Sequence, residues 1–217
     1  MYRLLLPMSL SLVLSTTCLG QPTEHEQGLN AQLLLGAKNN DLPTVRRALE
    51  KGAAPNARNR AGDTALMVFT RAGNAEMAAL LLDRGADANL ANLDKVTPLM
   101  AAAYHGSANL VKLLLARGAD TTAADQLGKT AMVYAAGQGH VQIVEALLDA
   151  GIGIDQAYRN DLTALMWAAG YGKTQTVHLL LTRGADVSRR DNRGKSALDM
   201  ARDGGHAETA ALLAAGQ

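Results

Sequence analysis

Blocks of small and large apolar residues that close on a glycine recur along the chain: TALMVFTRAG from Thr64, TPLMAAAYHG from Thr97, TAMVYAAGQG from Thr130, TALMWAAGYG from Thr163 and SALDMARDGG from Ser196. The step is 33 residues each time and never slips. Each block is followed by a second apolar run, such as VKLLLARGAD or VHLLLTRGAD, and these runs close on their own glycine series at Gly85, Gly118 and Gly184. In the run after Leu110, Val111, Leu114 and Leu115 have the i, i+3, i+4 spacing that gathers them on one face of a helix. A weaker copy lies upstream in LNAQLLLGAKNNDLPTVRRALEKGAAPNARN, in phase through Val45, Leu49 and Gly52.

The punctuation of each unit is that of two short helices. Thr64, Thr97, Thr130, Thr163 and Ser196 stand where an N-cap hydroxyl is wanted, because a side-chain oxygen there satisfies an amide of the first turn. Gly73, Gly106, Gly139, Gly172 and Gly205 can take the left-handed conformation that closes a helix. First helices of about nine residues are expected, with second helices such as 110–116 stopping at the next glycine. Helices this short are marginal alone in water, so neighbouring units must hold them. Small residues such as Ala101, Ala102, Ala135, Ala168 and Ala169 let the layers approach closely. A fixed period in this range marks a solenoid.

These units resemble the ankyrin repeat. The family pattern of a turn, then Thr-Pro-Leu-His-x-Ala-Ala-x-x-Gly, then an apolar helix ending in Gly-Ala-Asp, is matched by TPLMAAAYHG with LLLARGAD and nearly as well by the other central units. The resemblance implies an all-α ankyrin repeat solenoid of helix-turn-helix units joined by β-turn fingers, about six repeats over residues 29–217. It also implies a concave surface that binds another protein. Where the family has histidine after Thr-Pro-Leu, this chain has Met67, Met100, Val133, Met166 and Asp199, which replaces a polar bridge with an adaptable apolar contact. The end units are altered as a capped array requires. Arg47 stands where later units have Leu80, Leu113 and Leu179, and the last unit has Asp199, Arg202 and Glu208 in otherwise apolar surroundings.

Residues 1–20, MYRLLLPMSLSLVLSTTCLG, read as a secretory signal peptide: one positive charge at Arg3, an apolar core from Leu4 to Leu14, then small residues. The apolar run, broken by Pro7, is short of the roughly 20 residues that span a bilayer as a helix, so no stable membrane span is expected. Residues 21–28 are expected to be a short linker. Cys18 is the only cysteine and leaves two readings open. It either departs with the signal, leaving a mature chain without thiol or disulfide, or it is acylated, although Ser15, Thr16 and Thr17 match a lipoprotein signal poorly. No Asn-x-Ser/Thr acceptor occurs, which fits a bacterial periplasmic protein better than a eukaryotic secreted one.

Composition narrows the chemistry. With 21 basic and 20 acidic residues there is no field to draw the chain onto nucleic acid, and nucleic-acid binding is not expected. His140 and His206 occupy equivalent positions two units apart, too far to share a metal ligated at about 2 Å, so no metal or other cofactor is expected. No nucleophile triad, phosphate loop or carboxylate pair rises above the repeat pattern, and catalysis is not expected. The GxG at Gly137 to Gly139 lacks the preceding strand a nucleotide fingerprint needs. Arg189, Arg190, Arg193 and Lys195 alternate with Asp186 and Asp191 and read as a solvated turn tip.

Within the constant frame, the positions just before the closing glycine vary freely. Arg71, Tyr104, His105, Gln138 and Tyr171 fall there, and Lys129 at a turn tip, so these are the candidate protein-binding residues of the concave face. Trp167 shares its place with Val68, Ala101, Tyr134 and Met200 and is expected to be scaffold. The chain is thus expected to be a non-catalytic, monomeric protein-interaction module, periplasmic or secreted, that binds, protects or assists another protein. The alternatives are a scaffold tethered through lipid on Cys18, or an enzyme. Exported bacterial ankyrin proteins are sometimes linked to oxidative-stress defence; that link follows from resemblance, not from any residue here.

Overall fold

The structure, a computed structural model, describes residues 24–215. The signal segment, Cys18 and the first residues of the expected linker lie outside the described residues. Among the described residues twelve α-helices follow one another in pairs: α1 (Glu24–Lys38) with α2 (Leu42–Glu50), α3 (Ala65–Arg71) with α4 (Ala75–Asp83), α5 (Pro98–Tyr104) with α6 (Ala108–Ala116), α7 (Ala131–Gln138) with α8 (Val141–Asp149), α9 (Ala164–Gly170) with α10 (Thr174–Thr182), and α11 (Ala197–Asp203) with α12 (Ala207–Ala215). The first helices of successive pairs pack side by side in one layer and the second helices in another. Among the described residues there is no strand, only an isolated bridge between Arg58 and Thr64. Five fingers join the pairs: finger 1 (51–63), finger 2 (84–96), finger 3 (117–129), finger 4 (150–162) and finger 5 (183–195).

The caps fall where the hydroxyls are. Thr64, Thr97, Thr130 and Thr163 accept from the amides of Met67, Met100, Val133 and Met166 at 3.2 to 3.4 Å, and Ser196 accepts from Asp199 at 3.2 Å. The first helices of the last five pairs span seven residues, eight in α7, instead of nine. The N-cap keeps an extended backbone outside the helix, and the residues before the glycine are spent on the closing turn. The second helices start earlier instead: α6 begins at Ala108 rather than Leu110, two residues longer than expected. Helix α1 begins at Glu24, inside the segment expected to be linker. Its first turn carries Glu24 and Glu26, which favour a helix N-terminus, and it buries Leu29 and Leu33.

The methionines at the family's histidine position are core. Met67, Met100 and Met166 are buried, with Val133 in the same place on α7. Asp199, their equivalent in the last unit, returns its carboxylate to the Ser196 amide at 2.9 Å and closes a capping box. Those Ser196 hydrogen bonds hold the Asp199 carboxyl below the ordinary aspartate value. In the basic cluster Arg190 pairs with Asp199, Arg193 with Asp191 and Lys195 with Asp203, while Arg189 reaches the Asp155 carbonyl.

The closing glycines serve a second purpose at two places. His140 and His206 each bring Nε2 within 3.1 Å of a carbonyl of the preceding unit, that of Tyr104 and that of Gly170. To reach it, the His206 ring lies so close to Gly172 (φ +63) that a Cβ there would meet Nδ1 at 2.5 Å. At Gly52 (φ +95) a Cβ would meet nothing within 4 Å. Gly52→Ala therefore incurs only left-handed strain, on the order of 1 kcal/mol, whereas Gly172→Ala adds a clash and the loss of a bridge between units. Thermal unfolding should show the Gly172 variant as clearly the less stable of the two.

The struts between fingers are regular except at one junction. Asn56 accepts the Asp87 amide at 2.8 Å, Asn89 accepts that of Asp120 at 2.7 Å, and Asp155 accepts that of Asp186 at 2.9 Å. At the equivalent place in finger 3, Thr122 turns its hydroxyl back onto Asp120 at 2.7 Å. The finger tips follow the same pattern, with Leu93 donating to Ala61 at 3.1 Å, Gln126 to Asp94 at 3.2 Å and Asn192 to Asn160 at 3.1 Å. Fingers 3 and 4 are joined there by a side chain instead, the Arg159 guanidinium on the Leu127 carbonyl at 3.2 Å. Finger 4 also lacks the turn-closing oxygen that Asn59, Asn92, Asp125 and Asp191 supply by accepting two amides each. Tyr158 takes that place, with Asn160 and Asp161 in left-handed conformation, and a cavity of about 520 Å³ opens between Thr122, Gly153 and Tyr158. Thr122→Asn restores an amide that can bridge to finger 4, and should raise stability by about 1 kcal/mol. Hydrogen exchange of the α8–α9 finger should slow in the variant, and unchanged exchange would count against a seam there.

Candidate functional site

The face bounded by the first helices and the finger ends is where the aromatic residues gather. The chain has five tyrosines, one tryptophan and one phenylalanine. Three of those tyrosines and the tryptophan meet across α5, α7 and α9. Tyr104, the last residue of α5, sets its ring edge against Tyr134 at 5.6 Å and against His105 at 5.1 Å. Trp167 on α9 lies flat against Tyr171, with centroids 6.0 Å apart and planes inclined by 7°. Lys129, ending finger 3, suspends its ammonium 5.6 Å from the Tyr134 ring and 5.4 Å from the Trp167 ring.

Two local features hold this arrangement. Tyr134 donates its hydroxyl to Asp125 Oδ2 at 2.5 Å, and Asp125 is itself fixed by the amides of Leu127 and Lys129. Burial, then the Asp125 hydrogen bond and charge, push the Tyr134 phenol above its ordinary value, so the ring stays neutral and keeps donating. Gly137 supplies the space: a Cβ there would lie 3.6 Å from the Tyr171 ring and 3.9 Å from Trp167. A larger side chain would displace the stack. The Trp167 Nε1–H is buried without an acceptor among the described residues, which native proteins rarely leave so.

Three cavities run along the face, and Trp167 lines them all. The largest, about 390 Å³, lies between α9 and α11 with Met166, Tyr171, Lys195, Met200 and Asp203 in its walls. The second, about 220 Å³, reaches down to Lys129, Tyr158 and Arg159. The smallest, about 80 Å³, is enclosed by Tyr104, Lys129, Tyr134, Gln138 and Tyr171. Of the residues marked by repeat-position variability, Tyr104, Lys129, Gln138 and Tyr171 come together here, with His105 at the edge against Tyr104. Arg71 does not join them. It pairs with Asp63 at 2.7 Å and lines none of the three cavities.

A family model described as ankyrin repeats (3 copies) matches residues 33–125, 84–157, 118–191 and 154–217. The chain belongs to the ankyrin repeat family. No curated protein matches it. Ankyrin repeats generally mediate protein–protein interaction and are typically non-catalytic. In this ankyrin protein the helix and finger layers are set out as the resemblance implied, and no described helix is long and apolar enough to cross a membrane.

Trp167 packs against the core as scaffold, and, only partly buried, it also walls the groove. Tyr134, which was not among the candidate residues, lines the smallest cavity with them. The signal lay in the repeat alignment, where two successive units carry aromatics at a position otherwise held by Val68, Ala101 and Met200. Because Trp167 is the only tryptophan, its fluorescence reports on the groove. Tyr171→Ala should uncover the indole, shifting emission to the red and raising quenching by acrylamide. Trp167→Ala should lower stability by about 2 kcal/mol, less than for a wholly buried tryptophan.

Proposed function

We propose that this ankyrin protein binds, protects or assists another protein through the aromatic groove on its concave face, and that it does so outside the cytoplasm as a monomer. The gathering of three tyrosines and the tryptophan, with Tyr104 47% and Tyr171 54% exposed, carries the reading. Large exposed aromatics on a rigid frame give contact area at small entropic cost, which is why they dominate interface hot spots. The signal-like character of residues 1–20 supports action beyond the inner membrane. Mass analysis of the native N-terminus separates removal of the segment before Gln21 from a lipid tether on Cys18. The link to oxidative-stress defence rests on resemblance alone.

Pull-down from a cell-envelope extract with the full chain should recover the partner. Tyr104→Ala and Tyr171→Ala should each weaken its binding by on the order of 1 kcal/mol or more, with melting temperatures unchanged. Intact binding in both variants would move the interface to the second-helix layer or to an end of the array.

A further inference from the structure

The groove carries a charge that the chain as a whole does not. Basic and acidic residues balance at 21 to 20 over the sequence, yet Lys129, Arg159, Arg193 and Lys195 line the three cavities against the single carboxylate of Asp203. Two of these cations are already neutralised, Arg193 by Asp191 and Lys195 by Asp203. The other two are not. Lys129 is held by the faces of Tyr134 and Trp167, and Arg159 by the Leu127 carbonyl, with no carboxylate among the described residues paired to either. Beside them runs apolar space, the cavity of about 390 Å³ walled by Leu162, Met166, Trp167 and Met200, which is open because Gly170 brings no side chain into it.

We infer that the groove takes an extended segment of a partner protein in which an acidic side chain stands beside a bulky apolar or aromatic one. This rests on the reading of the concave face as the binding surface. The bulky side chain fills the space between Trp167 and Met200, and the acidic one meets the Lys129 ammonium, which keeps its contact with both rings while gaining a counter-ion. A carboxylate also brings acceptors to a wall whose indole Nε1–H has none among the described residues. A basic segment fits less well, because a second cation over these rings either repels Lys129 at close range or drives it into water. An extended backbone suits cavities that follow one another from α5 to α11 rather than forming one deep hole. Electrostatic complementarity of this kind sets which partner is accepted and how fast it arrives.

The test uses the full chain, immobilised, as bait for random peptides displayed on phage, with Lys129→Glu selected in parallel. The wild type should enrich peptides with Asp or Glu next to Phe, Tyr, Trp or Leu, and Lys129→Glu should turn the selection toward Lys and Arg. Synthetic versions of the enriched peptides should change Trp167 fluorescence. They should bind on the order of tenfold more weakly to Lys129→Met, and more weakly still as salt is raised. Basic or uncharged peptides that lose binding to Tyr171→Ala would overturn the acidic chemistry while leaving the groove as the binding surface. Peptides whose binding survives both Tyr104→Ala and Tyr171→Ala would overturn the groove itself. A selection that enriches nothing at roughly micromolar affinity would count against an extended segment as the occupant.

Discussion

Everything here depends on the contact between one repeat and the next. Helices of seven to nine residues cannot persist alone in water, since nucleation costs more than so few hydrogen bonds return. Each pair is held by burying Leu66, Leu99, Leu165 and their equivalents against the neighbouring units. The same contact sets the chemistry of the surface. A residue on the inner edge of a first helix stands beside its equivalents one period away, so side chains distant in sequence meet in a row.

The groove follows from that geometry with few additions. Tyr134 and Trp167 are one period apart, and so are Tyr104 and Gly137. An aromatic at the first position reaches toward the next unit, and a glycine at the second leaves room for it to be overlaid. Tyr171 fills the room above Gly137; above Gly170 the room stays open. Alternating large and absent side chains in a periodic frame is enough to make a wall and a hole, with no insertion in the fold.

How much of this the sequence discloses depends on whether periodicity reports it. The caps at Thr64 through Ser196 and the closing glycines recur every 33 residues, so each copy checks the others. The variable positions stood out against that frame, and Tyr104, Lys129, Gln138 and Tyr171 do share one place. Trp167 was harder because its position does two things at once: it packs against the core between units and it lines the groove. Arg71 stands apart from that group. Its repeat position is correct, but Asp63 eight residues earlier captures the guanidinium, and only coordinates show which of several carboxylates does so. The start of α1 at Glu24 escaped because that unit departs furthest from the repeat and the array gives no second copy to compare.

The interruption between fingers 3 and 4 lies beneath the groove, and the two are related by position. Lys129 ends finger 3 and touches Trp167, which follows finger 4, so its cation–π contact crosses the junction where Thr122 and Tyr158 have dropped the usual struts. Elsewhere neighbouring fingers are tied by Asn or Asp side chains and by a backbone bond at the tip. Here the ties are Arg159 on Leu127 and an ammonium over rings, both made by long side chains. A segment lying across Tyr134, Lys129 and Trp167 would contact both sides of the junction and supply the connection that the fingers lack. Binding and the closing of the junction then draw on the same free energy, so whatever stiffens the junction beforehand lowers the ordering cost of binding. The sequence departures at Thr122 and Tyr158 thus fall at the junction that the groove adjoins, with Gly128, Tyr158 and Arg159 shared between the two cavities.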